Sequence, residues 1–88
     1  MSWIIKRTNQ FKKNYKSLPE HVQEKFKINF LKFLDDPYNP ALKTHKLKWK
    51  LSEYTSSSIN DSYRFITKII VEENEIRLID IWTHEIYK

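Results

Sequence analysis

The chain contains no glycine among its 88 residues, and this absence limits both its turns and its chemistry. Glycine is the residue that most easily adopts a positive φ angle, so a turn that needs this angle must use another residue. Asn and Asp tolerate the conformation best, which predicts turns near Asn60, Asp61 and Asn74. Glycine-rich loops that cradle a nucleotide phosphate are excluded for the same reason.

Length and composition predict one domain over residues 1–88, without an internal repeat or a linker. The chain has no cysteine, which excludes disulfides, thiolate nucleophiles and thiolate metal sites. No apolar run approaches the roughly 18 residues of a membrane helix, and no signal-peptide pattern is present, so we expect a cytoplasmic protein with no membrane partner. The net charge of +5 favours a polyanionic partner: nucleic acid, an anionic membrane or an acidic protein.

The first third of the chain predicts a strand followed by two helices. Residues 2–7 alternate and are rich in apolar side chains, as in a strand. Thr8 is expected to cap a short helix that ends near Ser17, and a second helix begins at Pro19. Pro37 disfavours helix in the residue before it, so this helix should end at Asp35 or Asp36. The apolar faces comprise Phe11, Tyr15 and Leu18 in the first helix and Val22, Phe26, Phe30, Phe33 and Leu34 in the second.

From His45 onward the pattern indicates β-structure. Residues 46–60 are extended and become polar toward the end of the segment, residues 63–71 alternate, and residues 76–82 follow a turn at 72–75. One strand, a helical hairpin and four short strands predict an α+β fold, in which the helices pack on one face of a mostly antiparallel, twisted sheet.

The segment Lys43–Leu51 is basic and aromatic. If it is extended, Lys46, Lys48 and Lys50 share one face, and Leu47, Trp49 and Leu51 share the other. The apolar face would anchor the strand, while the lysines would form a row of cations suited to a phosphate backbone. A charged edge strand also discourages aggregation, and the two roles are compatible.

Several segments of the chain form a recognisable series: 11–13 with 18–19, 34–37, 42–48, 59–66 and 79–84. In these segments the chain resembles the RelE/ParE superfamily of toxins from bacterial type II toxin–antitoxin modules, and within it the RelE and YafQ-like ribonuclease branch. The resemblance spans nearly the whole chain and depends on the order and spacing of several segments, none decisive alone. Similar toxins usually carry glycine where this chain has Trp49 and Trp82.

The resemblance implies a RelE-like fold and cleavage of mRNA, often in the ribosomal A site, by attack of a ribose 2′-hydroxyl on the neighbouring phosphate. This reaction needs a group to take the 2′ proton, a group to protonate the 5′ oxygen, and cations around the phosphate. It implies no metal and no small-molecule cofactor. The implied partners are mRNA, the ribosome and a cognate antitoxin in the bacterial cytoplasm.

The same resemblance assigns roles to particular residues. His84 matches the C-terminal histidine of YafQ-like toxins and can act as acid or base near neutral pH. His45 matches a second site histidine, and Arg64 matches an arginine that clamps the scissile phosphate with its forked N–H groups. Asp61 and Tyr87 complete the expected catalytic set. The expected RNA-binding residues are Lys43, Lys46, Lys48, Lys50 and Trp82.

Structural explanations compete with several of these roles. His45 could simply end a strand, Asp61 suits a turn, and Trp82 could serve packing. Arg64 could pair with Asp80 or Asp61. Two other functions also remain open: a non-catalytic ParE-like toxin that binds DNA gyrase, and an inactive homologue that retains antitoxin binding. A gyrase binder has no need of a histidine–arginine site, which favours the ribonuclease.

Overall fold

The computed structural model describes residues 2–83, so His84 and Tyr87 lie outside the described residues. The strands are β1 (Ile4–Arg7), β2 (His45–Lys46), β3 (Thr55–Ser58), β4 (Tyr63–Ile70) and β5 (Glu75–Thr83), and the α-helices are α1 (Asn9–Lys16) and α2 (Glu20–Asp35). They form one sheet in the order β1-β5-β4-β3-β2, in which β1 and β5 are parallel and the other pairs antiparallel. The predicted α+β architecture is confirmed.

The ends of the helices follow the predicted signals. The Oγ1 of Thr8 accepts a hydrogen bond from the backbone N–H of Phe11 at 3.0 Å, as an N-cap does, and donates one to the Ile79 carbonyl at 2.6 Å. The cap therefore also fixes the start of α1 to β5. α2 ends at Asp35, two residues before Pro37, as predicted. None of the helices within residues 2–83 is long and apolar enough to cross a bilayer.

The core lies between the two helices and one face of the sheet. Phe65 of β4 is fully buried, and its ring centroid lies 5.2 Å from that of Phe26, 6.2 Å from Phe30 and 5.4 Å from Phe33. The rings of Phe11 and Phe26, 5.6 Å apart, join α1 to α2. The apolar face predicted for α2 is thus confirmed, since it supplies most of the aromatic contacts to the sheet.

The other face of the sheet, which we call the outer face, points away from the helices. Side chains alternate along a strand, so Arg64 and Ile66 leave β4 on the side opposite Phe65. Cross-strand partners share a face, which places Ser58 and Trp82 beside Arg64, and Ser56 and Asp80 beside Ile66. A β-bulge interrupts the register of β4 and β5 between Ile66 and Thr67.

The strand predicted over Lys43–Leu51 is wrong beyond Lys46. Trp49 has a φ angle of 62°, which turns the chain into a 3₁₀ helix, Trp49–Leu51. Leu47 is 9% exposed, whereas Leu51 is 40% and Trp49 is 90% exposed, so the predicted apolar face does not exist. The predicted lysine row is broken for the same reason: Lys48 and Lys50 belong to the turn, while Lys46 pairs with Thr55 and leaves β2 on the side opposite His45.

Positive φ angles occur within residues 2–83 at Lys43, Trp49 and Asn74. The prediction for Asn74 is confirmed, and the predicted turn at Asn60 and Asp61 is present but has no positive φ angle. Asn60 instead closes its turn with its side chain, whose Oδ1 accepts the backbone N–H groups of Ser62 at 2.8 Å and Tyr63 at 2.9 Å. For a bulky residue such as Trp49, the left-handed region costs roughly 1–2 kcal/mol.

Candidate functional site

A single backbone carbonyl brings together two of the predicted site residues. The carbonyl oxygen of Lys43 lies 2.9 Å from Nη2 of Arg64, which donates to it, and 3.1 Å from Nδ1 of His45. Lys43 follows the 3₁₀ helix Pro40–Leu42 and has the left-handed conformation, with φ 51° and ψ 40°. This conformation turns the chain between the 3₁₀ helix and β2, and the carbonyl becomes a common point of attachment for both side chains.

Arg64 is also held from below by β3. Its Nε donates to the Ser56 Oγ at 2.6 Å, and its Nη2 lies 3.2 Å from the Ser56 carbonyl. These contacts fix the plane of the guanidinium, and Arg64 as a whole is half-buried. Burial lowers the pKa of Arg64 because desolvation disfavours the charged form. An arginine nonetheless stays protonated in a protein, so the group remains a fixed cation.

Sequence analysis missed both Ser56 and the Lys43 carbonyl. Ser56 is fully buried, and its small side chain leaves room for the guanidinium above β3. The available signal was the serine run at 56–58, directly before the strand that carries Arg64. The backbone carbonyl has no signal in side-chain patterns, since its direction depends on the conformation of Lys43.

Trp82 lies across the strand pair from Arg64 and is half-buried. Its indole Nε1 donates to the Oδ2 of Asp80 at 2.9 Å, while Oδ1 of Asp80 accepts from the Asn14 side chain at 2.6 Å and from the Ile81 N–H at 2.7 Å. Asp80 therefore orients the indole and links it to α1. This hydrogen bond and the partial burial hold the indole of Trp82 on the same face as Arg64.

The other predicted site residues that the structure describes are Asp61 and the four lysines, and all of them are exposed. Asp61 is exposed in the turn that joins β3 to β4, next to the pair formed by Ser58 and Arg64. The side chains of Lys43, Lys46, Lys48 and Lys50 are all exposed. His84 and Tyr87 are outside the described part; the last described residue, Thr83, pairs with Tyr63.

The cluster of Arg64, His45 and the Lys43 carbonyl has the chemistry of an anion site next to a proton-transfer group. A guanidinium presents several N–H groups in a rigid fork that suits phosphate oxygens, and His45 is exposed beside it. An imidazole in this place can take or give a proton. Within residues 2–83, no group of three or more His, Asp or Glu side chains is placed to hold a metal ion.

A separate groove lies between β1 and the helices, on the opposite side of the sheet. It has a volume of about 450 Å³, and its floor is apolar and largely aromatic. Arg7 and Lys27 are exposed where they line it, so its border carries positive charge. The other lining residues are Ile5, Phe11, Tyr15, Phe26, Phe30 and Leu78.

Comparison with known proteins identifies the fold. No family model matches the chain, and no curated protein matches it by sequence. Three solved structures share its fold over nearly their whole length: the YoeB/ParE toxin from Agrobacterium tumefaciens, the DinJ–YafQ toxin–antitoxin complex from E. coli, and the archaeal RelE–RelB complex from Pyrococcus horikoshii OT3.

The agreement with these structures is close in shape and low in sequence. The first has a TM-score of 0.79 at 18% identity and covers 92% of this chain and 98% of its own. The DinJ–YafQ complex has a TM-score of 0.78 at 17% identity, and the match covers 98% of this chain and 97% of its own. The RelE–RelB complex has a TM-score of 0.75 at 19% identity, and the match covers 94% of this chain and 96% of its own. The chain therefore has the fold of the RelE/ParE toxins, as the sequence resemblance predicted.

Proposed function

We propose that this chain is the toxin of a type II toxin–antitoxin module, and that residues 1–88 form one toxin domain that acts as an endoribonuclease on mRNA in the ribosomal A site of a bacterial cytoplasm. The observation that supports this function is the attachment of Arg64 and His45 to one carbonyl, at 2.9 Å and 3.1 Å, on the outer face of a RelE-like fold. The pair supplies phosphate recognition and proton transfer at one place.

In the proposed reaction, the ribose 2′-oxygen attacks the neighbouring phosphorus while the bond from phosphorus to the 5′ oxygen breaks. Arg64 binds the phosphate oxygens and stabilises the charge of the transition state. His45 and His84 take the 2′ proton and protonate the leaving 5′ oxygen, with Asp61 and Tyr87 assisting. The products are a 2′,3′-cyclic phosphate and a 5′-hydroxyl, and no metal or cofactor takes part.

Substrate binding in this proposal depends on charge around the cluster. Lys43, Lys48 and Lys50 are exposed in the chain segment that includes His45, and Trp82 lies beside Arg64. Lys46 leaves β2 on the other side and contributes through longer-range attraction. Each lysine adds a salt-dependent contribution to affinity, so RNA binding should weaken as ionic strength rises.

The proposed cognate antitoxin would use the surfaces that a basic toxin offers. The DinJ–YafQ structure is that of a toxin–antitoxin complex, and this chain shares the fold of its toxin. The groove between β1 and the helices has an apolar floor and two cations at its border, Arg7 and Lys27. A partner segment with apolar and acidic side chains would complement both features. Ile5→Lys should weaken the complex with such an antitoxin in a two-protein binding assay and leave RNA cleavage unchanged.

The direct test is primer extension on mRNA in a reconstituted translation reaction, with and without ribosomes. We expect new 5′ ends with the wild-type protein and ribosomes, and their loss in Arg64→Ala, His45→Gln and His84→Ala. Arg77→Ala is the matched control, because Arg77 is also an outer-face arginine but hydrogen-bonds Glu75 in another part of β5. This control should cleave like the wild type.

Two outcomes would count against the ribonuclease. If the folded wild-type protein arrests growth without new mRNA ends, the gyrase-binding function becomes the better explanation, and a supercoiling assay tests it. If the protein neither cleaves RNA nor arrests growth but still binds an antitoxin, it is an inactive homologue.

A further inference from the structure

The turn Lys48–Ser52 carries a tryptophan whose side chain is exposed to solvent. Trp49 is 90% exposed, so its ring is left in water, and its φ of 62° lies in the region that bulky residues avoid. The exposed indole gains little from burial on folding, and the left-handed backbone angle of a tryptophan costs free energy. An exposed tryptophan with a left-handed backbone angle therefore indicates that its side chain binds another molecule.

The backbone around Trp49 is fixed by a closely spaced set of hydrogen bonds. Leu51 N–H donates to the Lys48 carbonyl at 3.2 Å, and Ser52 N–H donates to the Trp49 carbonyl at 3.1 Å. The two ends of the turn are joined where Leu47 N–H donates to the Tyr54 carbonyl at 3.0 Å. The side chain of Leu47 is buried below the turn. The indole therefore projects from a rigid base, which lowers the entropy that a ligand must remove.

The charges beside the indole select its ligand. Lys48 and Lys50 flank Trp49 in the sequence, and both side chains are exposed. Glu53, which directly follows the turn in the sequence, forms an ion pair with Lys68 of β4 at 3.7 Å, which directs its charge toward β4. An exposed aromatic face between two cations matches a nucleobase with a phosphate on each side, because bases stack on aromatic rings and phosphates bind lysines.

We propose that Trp49 is a stacking platform for an unpaired base of the RNA strand, outside the cleavage cluster. The inference rests on the proposed ribonuclease function, since the same strand would contact both places. Trp49 is four positions after His45 in the sequence, so their Cα atoms are at most about 14 Å apart. An RNA strand bound at the cluster of Arg64, His45 and the Lys43 carbonyl can therefore reach the indole of Trp49 within a few nucleotides. Trp49 would select for a flexible, single-stranded flank.

The test measures binding of a fluorescein-labelled, unstructured RNA with 2′-O-methyl riboses, which lack the attacking hydroxyl, at low ionic strength. Trp49→Gly and Trp49→Leu should weaken binding about fivefold to about hundredfold, the effect of one lost base stack. Trp49→Phe should restore most of the affinity, because it keeps an aromatic face. Tyr38→Leu, which removes an exposed aromatic ring from another loop, is the matched control and should bind like the wild type.

Two further readouts separate stacking from loss of structure or of charge. Trp49→Gly should melt at a higher temperature than the wild type, because glycine relieves the left-handed strain, so its weaker binding would not reflect unfolding. Trp49 variants should keep the salt dependence of binding, whereas Lys48→Gln and Lys50→Gln should each reduce it.

Equal RNA affinity of the wild type, Trp49→Gly and Trp49→Leu would overturn the inference, as would the absence of any RNA binding. The inference would also be overturned, in favour of a membrane ligand, if the Trp49 variants bound phosphatidylserine vesicles more weakly than the wild type but kept its RNA affinity. Failure of the ribonuclease is distinguishable: a wild type that binds RNA through Trp49 but produces no new mRNA ends supports the platform and contradicts the enzyme.

Discussion

Phe65 and Arg64 are neighbours in β4, but they belong to two differently built faces of the sheet. Phe65 contacts three phenylalanine rings of α2, and its environment is set by side-chain packing. Arg64 contacts the Ser56 hydroxyl and the Lys43 carbonyl, and its environment is set by hydrogen bonds to a loop and a neighbouring strand. The helix-facing side is thus held together by apolar packing, while the outer face positions polar groups through hydrogen bonds.

The strongest test of this comparison is Phe65→Ala. We expect a loss of about 3–5 kcal/mol in the free energy of unfolding, because a buried ring is removed and a cavity remains. Urea denaturation followed by circular dichroism measures it, and Phe65→Leu provides a milder variant if the alanine variant does not fold. A loss below about 1 kcal/mol would show that the aromatic cluster does not hold the two layers together.

Ile66 tests the outer face by the same measurement. It is fully buried, but it stands outside the main cluster of buried residues on the helix-facing side. Ile66→Ala should cost about 2 kcal/mol, at the lower end of the usual range for such truncations, because Ile66 lies outside the main cluster of buried residues. Ile66→Val is the control, at about 1 kcal/mol. A cost as large as that of Phe65→Ala would remove the distinction between the faces.

Asn29 sharpens the comparison, since it is a polar residue on the helix-facing side. Its Nδ2 donates to the carbonyls of Ser58 at 2.9 Å and Ile59 at 3.0 Å, which ties α2 to the end of β3. Asn29→Ala leaves both acceptors without this donor and should cost about 1–3 kcal/mol. Ile28→Ala, at an exposed neighbouring position, should change stability by less than about 0.5 kcal/mol. Equal effects of the two variants would contradict the role of Asn29.

The smallest expected effect concerns an ion cluster at the far end of the outer face. Arg77 hydrogen-bonds Glu75, and Lys6 lies 3.3 Å from it, so the pKa of Glu75 is lowered, chiefly by Arg77. A depressed folded-state pKa adds stability that is complete above the unfolded value, about 4.3, and is lost as the pH falls through the folded value. Glu75→Gln should therefore flatten the acid limb of a stability–pH curve, whereas Glu72→Gln should not.

The helix-facing side could be predicted from the sequence because its signal is periodic. The spacing of Val22, Phe26 and Phe33 indicates one buried stripe regardless of the loops, and Thr8 and Pro37 mark helix ends by local chemistry. The stripe, the cap and the α+β architecture are all present. Such patterns succeed where burial of apolar area is the main determinant of structure.

The outer face could be predicted only in part. The alternation predicted for residues 63–71 separates Arg64 from Phe65, but the turns before and after β2 depend on the left-handed conformations of Lys43 and Trp49. Neither residue type favours this conformation, so propensity predicts a continuing strand where the chain turns. The acceptor that joins His45 to Arg64 is a backbone atom, which a side-chain pattern does not show.

β1 has a consequence for the behaviour of the protein in concentrated solution. It lies at one end of the sheet order, and within residues 2–83 it pairs with β5 alone. Ile4 and Ile5 of β1 are exposed next to Lys6 and Arg7. The edge of β1 could pair with the same edge of a second copy of the chain, but repulsion between the positive side chains opposes this pairing. The Debye length falls from about 10 Å at 0.1 M salt to about 3 Å at 1 M, which removes this repulsion. High salt should therefore promote self-association of the protein, which light scattering at the two salt concentrations would detect.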